Sequence, residues 1–531
     1  MAVTLFSRLA RGASALLAIC LLAACAALTA PVQPDAGRPT PEAKGCADWF
    51  VQLDAATESA GVRDGSAYRV PGFAYLRVDR FLASFRDEVA GKPAAFEAWL
   101  GRLLQLDEEA REVELRNLPR QFLPLADVAS KPVAQMRTQR CAKLLAGAVL
   151  GSDAARGLLR QRAQVPDDYA DWKRMVGLYP LTRMPFFSGV EKWQQEAAQK
   201  IQQSAGDPAT QLLNYAPIST PLAAGRVAAL SAQIKKDALG IPQPSAPEQA
   251  LLLAAYAPLF EIESTGAYDR IGALFWRPER KTDEGAGSAP APQVDPTRVV
   301  VYQRLAYTRY QGQTLLQLVY SVWFPERPRS AALDLLSGTL DSVVLRVTLG
   351  SNGAPLLIDS IHSCGCYHLF FATPGVTPRP APQARMEWAF VAATLPALSA
   401  GQRVVVRLDS RSHYVVGLRG AALDEGAQAT PYTLVDDNAL RTLPTPDGGT
   451  RSAFWPSGIV PGTERGERLI FWPMGIASPG AMRQWGRQPT AFVGRRHFDD
   501  ADLLERRFQF SAPCIQNKTT CSLINTDVSS Y

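Results

Sequence analysis

From Cys46 to about Ala257, apolar side chains recur three and four residues apart, the spacing of one buried helical face. Phe81-Leu82-Ala83-Ser84-Phe85, Phe96 to Leu106 and Asp107 to Leu118 show it first, then Gln139 to Leu150 and Ala154 to Gln161. Pro166-Asp167-Asp168 has the proline and acids of a helix start. Gly189 to Gln203, Pro221 to Leu239 and Pro247 to Ala257 complete the helical set. A polar Pro/Gly/Ala-rich stretch, residues 277–297, then interrupts the pattern as a loop or linker.

Beyond it the period shortens to two. Val299 to Tyr307 and Thr314 to Phe324 flank Tyr310-Gln311-Gly312-Gln313, a hairpin signal. Ser342 to Leu349 alternates, with Val343, Leu345, Val347 and Leu349 on one face. Ser351-Asn352-Gly353 turns it back into a strand from Pro355 to Phe371. Trp388 to Leu395, Arg403 to Leu408 and Ser412 to Leu418 add strands, and Asp436 to Leu440, Pro479 to Gly486 and Asp499 to Phe508 add short helices. The expected fold class is α+β: a helical domain over residues 46–258, then a larger β-rich, mainly antiparallel domain over 259–531. No internal repeat is present.

Composition changes this picture little. With 531 residues, 47% of them hydrophobic and 20% charged, the chain has ample material for a core. The net charge of +6 includes no basic tract, so nucleic acid is not an expected partner.

The N-terminus changes it more. Arg8 and Arg11 precede an uncharged run from Gly12 to Ala24, too short to span a bilayer and matching the core of a secretory signal. The run ends Leu22-Ala23-Ala24-Cys25, which resembles the lipobox of bacterial lipoprotein precursors. The competing reading is an ordinary signal cut after Ala24-Cys25-Ala26. The resemblance implies a signal peptide over 1–24, a lipid on Cys25, a tether over 25–45 and a membrane as partner through that anchor. It also implies residence in the cell envelope. Residue 26 is Ala rather than Asp, which in Gram-negative lipoproteins implies sorting to the outer membrane, facing the periplasm.

An extracytoplasmic location makes disulfides credible. Six cysteines remain beyond Cys25. Cys514 and Cys521 are seven apart and suit a local bridge. Cys46 with Cys141 would staple the N-terminus to the helical region. Cys364 and Cys366 are then left with each other.

That last pair sits in Ile361-His362-Ser363-Cys364-Gly365-Cys366-Tyr367-His368, where two of the chain's four histidines bracket Cys-Gly-Cys. On an uninterrupted strand His362, Cys364, Cys366 and His368 share one face, with the outer two roughly 20 Å apart, so one ion reaches all four only if the chain folds at Gly365. His413 and His497 are the candidate distant ligands. Three readings fit: a zinc or copper site using Cys364, Cys366 and histidines; a redox-active Cys364–Cys366 dithiol; or structural cysteines in a non-enzymatic envelope protein whose helical half binds a protein partner.

Weaker signals surround these. Ser478-Pro479 reads as a helix cap rather than a hydrolase nucleophile. Arg483, Arg487, Arg495 and Arg496 read as solvated side chains, with an anion-binding patch as the alternative. Asp499 and Asp500 read as caps of the last helix, or as groups orienting His497.

Overall fold

A computed structural model describes residues 40–123, 125, 128–203, 211–277, 291–422 and 425–511. Cys25, with its signal and tether, and the Cys514/Cys521 pair lie outside the described residues. The described chain forms two compact units, residues 40–60 with 67–166, and residues 61–66 with 167–511. The division therefore falls at 166/167 rather than near 258. Strand-forming residues at 212–217 pair into the sheet of the second unit, which carries the helices around them into that unit.

The first unit is built on α1 (Pro41–Ser59), α2 (Arg80–Ala83), α3 (Pro93–Asn117), α4 (Lys131–Leu150) and α5 (Asp153–Arg162). Thr40 caps α1, its hydroxyl accepting the Ala43 amide at 3.2 Å, and Pro41 opens the helix where no amide is needed. Phe96 to Leu106 and Asp107 to Leu118, read above as separate segments, are parts of the single helix α3. A hairpin interrupts the helices: β1 (Tyr68–Val70) and β2 (Phe73–Val78) turn at Pro71-Gly72, with Gly72 at φ +81°. Its apolar residues are too few for the spacing to declare a period.

Around Trp49, Phe50, Trp99 and Leu103, all buried, the unit also buries charge. Arg77 binds Asp107 at 3.1 Å and Glu114 at 2.6 Å, and Arg111 binds Glu114 at 3.0 Å. Cys46 on α1 is bridged to Cys141 on α4, as the cysteine spacing predicts.

The second unit contains an eleven-stranded sheet. In chain order its strands are β3 (Leu212–Pro217), β4 (Leu259–Glu263), β5 (Val300–Tyr310), β6 (Gln313–Arg327), β7 (Gly338–Leu349), β8 (Pro355–His362), β9 (Leu369–Ala372), β10 (Val391–Thr394), β11 (Val404–Leu408), β12 (Val415–Gly420) and β13 (Thr430–Asp436). Across the sheet they run β10-β9-β8-β7-β6-β5-β13-β3-β4-β11-β12.

From β5 to β9 the ladder is antiparallel, as the hairpin signals predict. Gln311 and Gly312, both at positive φ, make the tight β5–β6 turn. Elsewhere the expectation of a mainly antiparallel domain fails. β13 runs parallel to both β5 and β3, β11 parallel to β4, and β10 parallel to β9. The sheet is mixed because these strands return to it after long excursions, and alternation reports a strand's burial, not its direction.

β6, β7 and β8 are covered on both faces. Val343, Leu345 and Val347 of β7 join the main core with Ile358 and Phe371, yet Ser342, Arg346 and Thr348 on the opposite face are buried too. That second, polar buried face holds Arg346 opposite Asp359, while the first carries Asp341 and His362.

Candidate functional site

The segment holding Cys-Gly-Cys is not one long strand. β8 ends at His362, the chain reverses over 363–368, and β9 returns beside it with Ser360 opposite Leu369. The reversal is closed by the His362 amide on the Cys366 carbonyl at 3.0 Å and the Gly365 amide on the His362 carbonyl at 2.8 Å. Gly365 has φ +93°, and a Cβ there would lie 2.1 Å from the Pro489 carbonyl oxygen, so only glycine fits. Tyr367 also adopts a positive φ, +62°, unusual for a bulky residue.

The reversal separates the bracketing histidines. Across β7, β8 and β9, Asp359 lies opposite both Arg346 and Phe370 and shares their face, while His362 lies opposite Val343 on the other. His368 follows the first group, its Nε2 2.8 Å from Asp359 Oδ2. Arg346 clamps the same carboxylate through Nε at 3.0 Å and Nη2 at 2.6 Å. Burial, which outweighs the hydrogen bond to Asp359, holds the His368 imidazole down at about 3.

On the other face, Asp341 of β7 is the hub. Its Oδ1 faces His362 Nδ1 and Arg465 Nη2, each at 3.2 Å, and its Oδ2 faces His413 Nδ1 at 2.9 Å. Behind His413, Nε2 lies 3.4 Å from Asp269 Oδ1. All five side chains are buried. Burial alone would raise the Asp341 carboxyl, but His362, Arg465 and the imidazole hydrogen bonds outweigh it and hold it well below the carboxylate range. Burial lowers His362 despite Asp341, whereas hydrogen bonds that His413 donates to Asp269 and Asp341 overcome burial and raise it. Tyr367 and Tyr414 pack against His362, with ring centroids 5.0 and 5.5 Å away, and Trp193 packs on both tyrosines.

His497 lies elsewhere in the unit, its Nδ1 3.5 Å from Asp500 and its Nε2 3.5 and 3.6 Å from Asp168 and Asp167. Its own amide donates to Asp500 Oδ2 at 2.8 Å. Asp500 thus holds His497 in place instead of capping a helix. The last helix runs Leu503–Arg507 and takes Asp502 at its N-cap.

The cysteines, by contrast, are brought together. The Cys366 amide donates to Cys364 Sγ at 3.4 Å. The neighbouring Cys364 thiol, with burial, pushes the Cys366 thiol well up. Cys364 is fully buried and Cys366 partly accessible, and both carry free thiols. They border a cavity of about 20 Å³, room for one water, together with Tyr367, Glu387, Gly480 and Phe492. The Arg483 guanidinium interacts electrostatically with both sulfurs.

So Cys364 and Cys366 meet, while His362, His368, His413 and His497 each face a carboxylate. Among the described residues, no group of three or more His, Cys, Asp or Glu side chains is placed to hold a metal ion. The arrangement offers two free thiols on one turn, Cys364 buried and Cys366 half-buried.

Two flanking expectations change. Ser478 sits at φ +46° and caps no helix, because residues 479–486 form turns and an isolated bridge of Arg483 to Ile459. Arg483, Arg487 and Arg496 are buried rather than solvated, and bond backbone carbonyls. Arg495 alone is exposed, paired with Asp167 and Asp171.

Asp341, Asp359, Asp269, Arg346 and Arg465 went unread in the sequence. The available signal was a charge inside an apolar strand, as in Leu356-Leu357-Ile358-Asp359-Ser360-Ile361, since a strand buried on both faces keeps a carboxylate only if it is partnered.

Compared with known proteins, the chain matches no family model, no curated protein and no solved structure.

Proposed function

We propose that this chain is a lipid-anchored cell-envelope protein, tethered through Cys25, whose folded part carries a thiol–disulfide site at Cys364 and Cys366. The observation that carries this reading is the cysteine pair itself: two free thiols on one glycine-dependent turn, the Cys366 amide 3.4 Å from the Cys364 sulfur and Cys366 only half-buried.

In the oxidised form, an incoming thiolate of a dithiol partner attacks the Cys366 sulfur, on the less buried of the two residues. The Cys364–Cys366 bond breaks, its electron pair leaving on Cys364, where the Cys366 amide and the Arg483 charge stabilise it. The partner's second thiol then resolves the mixed disulfide, releasing Cys366 as a thiol. The partner is oxidised by two electrons and this chain is reduced by two.

The test is a thiol-trapping titration of the purified full-length protein in glutathione buffers of graded ratio. Cys364 and Cys366 should lose alkylation together, in one two-electron step, while Cys46 and Cys141 stay blocked. Both thiols remaining alkylatable in every buffer would overturn the redox reading. So would stoichiometric zinc or copper lost on Cys364→Ser with Cys366→Ser, which would favour the metal site. The anchor is tested separately, by the mass of the N-terminal peptide and by release of Cys25→Ala from membranes.

A further inference from the structure

The second unit presents an apolar face that no described element of that unit covers. After Tyr169 the chain forms α6 (Asp171–Val176) and α7 (Tyr179–Gln203). Leu178, between them, is 60% exposed and held at φ +49°, a conformation that costs a leucine free energy. Trp172, Met175 and Leu181 are 62%, 73% and 70% exposed. The 468–475 segment lies against these helices. The Ala170 amide donates to the Gly475 carbonyl at 2.9 Å, Gly177 is pressed onto Pro473, and the Phe186 and Phe471 rings sit 5.0 Å apart. That segment adds Leu469 and Ile470, 71% and 50% exposed. Contiguous exposure of this kind marks an interaction surface.

Its rim carries cations. Arg468 is exposed, and the Lys173 ammonium lies 5.7 Å from the Trp172 ring centroid. Asp167 and Asp171, beside the start of α6, are both engaged by Arg495. An exposed indole, aliphatic side chains and flanking Lys and Arg form the pattern that seats at a lipid headgroup boundary.

We infer that this face docks on an anionic lipid bilayer. In one respect the inference rests on the lipoprotein reading: from Cys25 to Thr40 is about 15 residues, a reach of roughly 50 Å, so a lipid on Cys25 keeps the folded chain beside a membrane.

The experiment uses the chain from Cys25 onward, made without lipid, floated with vesicles of phosphatidylglycerol and phosphatidylethanolamine. Failure to bind here is distinct from failure to find lipid on Cys25. The unlipidated chain should float with these vesicles. Trp172→Ser with Leu469→Ser should reduce binding by roughly tenfold, and Lys173→Glu with Arg468→Glu should remove the preference for phosphatidylglycerol. All four positions lie at the surface, so an unchanged melting curve confirms that the variants fold. Vesicle binding that is absent, or unaffected by both pairs of substitutions, overturns the proposal. So does a dimer in sedimentation that the Trp172/Leu469 variant dissociates, since the face would then belong to a second copy.

Discussion

Asp341 Oδ2 lies 2.9 Å from His413 Nδ1, and neither side chain is reached by solvent. The pair joins β7 to the turn before β12, and the carboxylate also holds His362 and Arg465. Removing one partner of such a buried set leaves the others desolvated and uncompensated. Asp341→Asn should therefore cost about 3–5 kcal/mol, read as a lower urea midpoint with unchanged slope.

Two histidines should give stability opposite pH slopes. His368 is held at about 3 when folded, below its ordinary value of about 6.5, so between these values the unfolded chain binds the extra proton. Stability should fall as pH drops from about 6.5 toward 3, and His368→Gln should flatten that limb. His413 is raised, so its contribution is complete below about 6.5 and is lost as pH rises through the folded value. His413→Gln should flatten the alkaline limb instead. Urea midpoints measured from acid to alkaline pH separate the two.

Glycines at positive φ should not be equivalent. Gly365→Ala adds a methyl group 2.1 Å from the Pro489 carbonyl at φ +93°, whereas Gly312→Ala at φ +73° meets nothing within 4 Å. The first should cost several kcal/mol, the second about 1 kcal/mol, in denaturant unfolding. Equal costs would show that the Cys-Gly-Cys turn does not pack as described.

The Cys46–Cys141 bridge closes a span of 95 residues. Replacing both cysteines by serine should destabilise the first unit by about 2–5 kcal/mol on the chain-entropy account. Faster amide exchange across α1 and α4 is the corresponding local readout.

Much of the local order was legible. Alternation and Gln311-Gly312 located the β5–β6 hairpin, helical spacing located α3 and α4, and cysteine spacing paired Cys46 with Cys141. At the site, composition singled out residues 362–368, but their faces were misassigned. Period-two counting assumes an unbroken strand, and the reversal at Gly365 sends His368 to Asp359 and His362 to Asp341. Ser478-Pro479 failed in a similar way, since a local cap signal carries no information about the packing that holds Ser478 at φ +46°.

What the sequence by itself determined is what acts over a few residues: helix period, strand alternation, turn glycines and the clustering of His362, Cys364, Cys366 and His368. Tertiary structure alone decided which strands run parallel, which acid each imidazole meets, and that Arg346, Arg465 and Arg496 are buried. The physical reason is range. Backbone sterics and amphipathic spacing are local, whereas the partner of a buried charge is chosen by whichever distant segment satisfies it. For Asp341 those segments supply His413 and Arg465, 72 and 124 residues away.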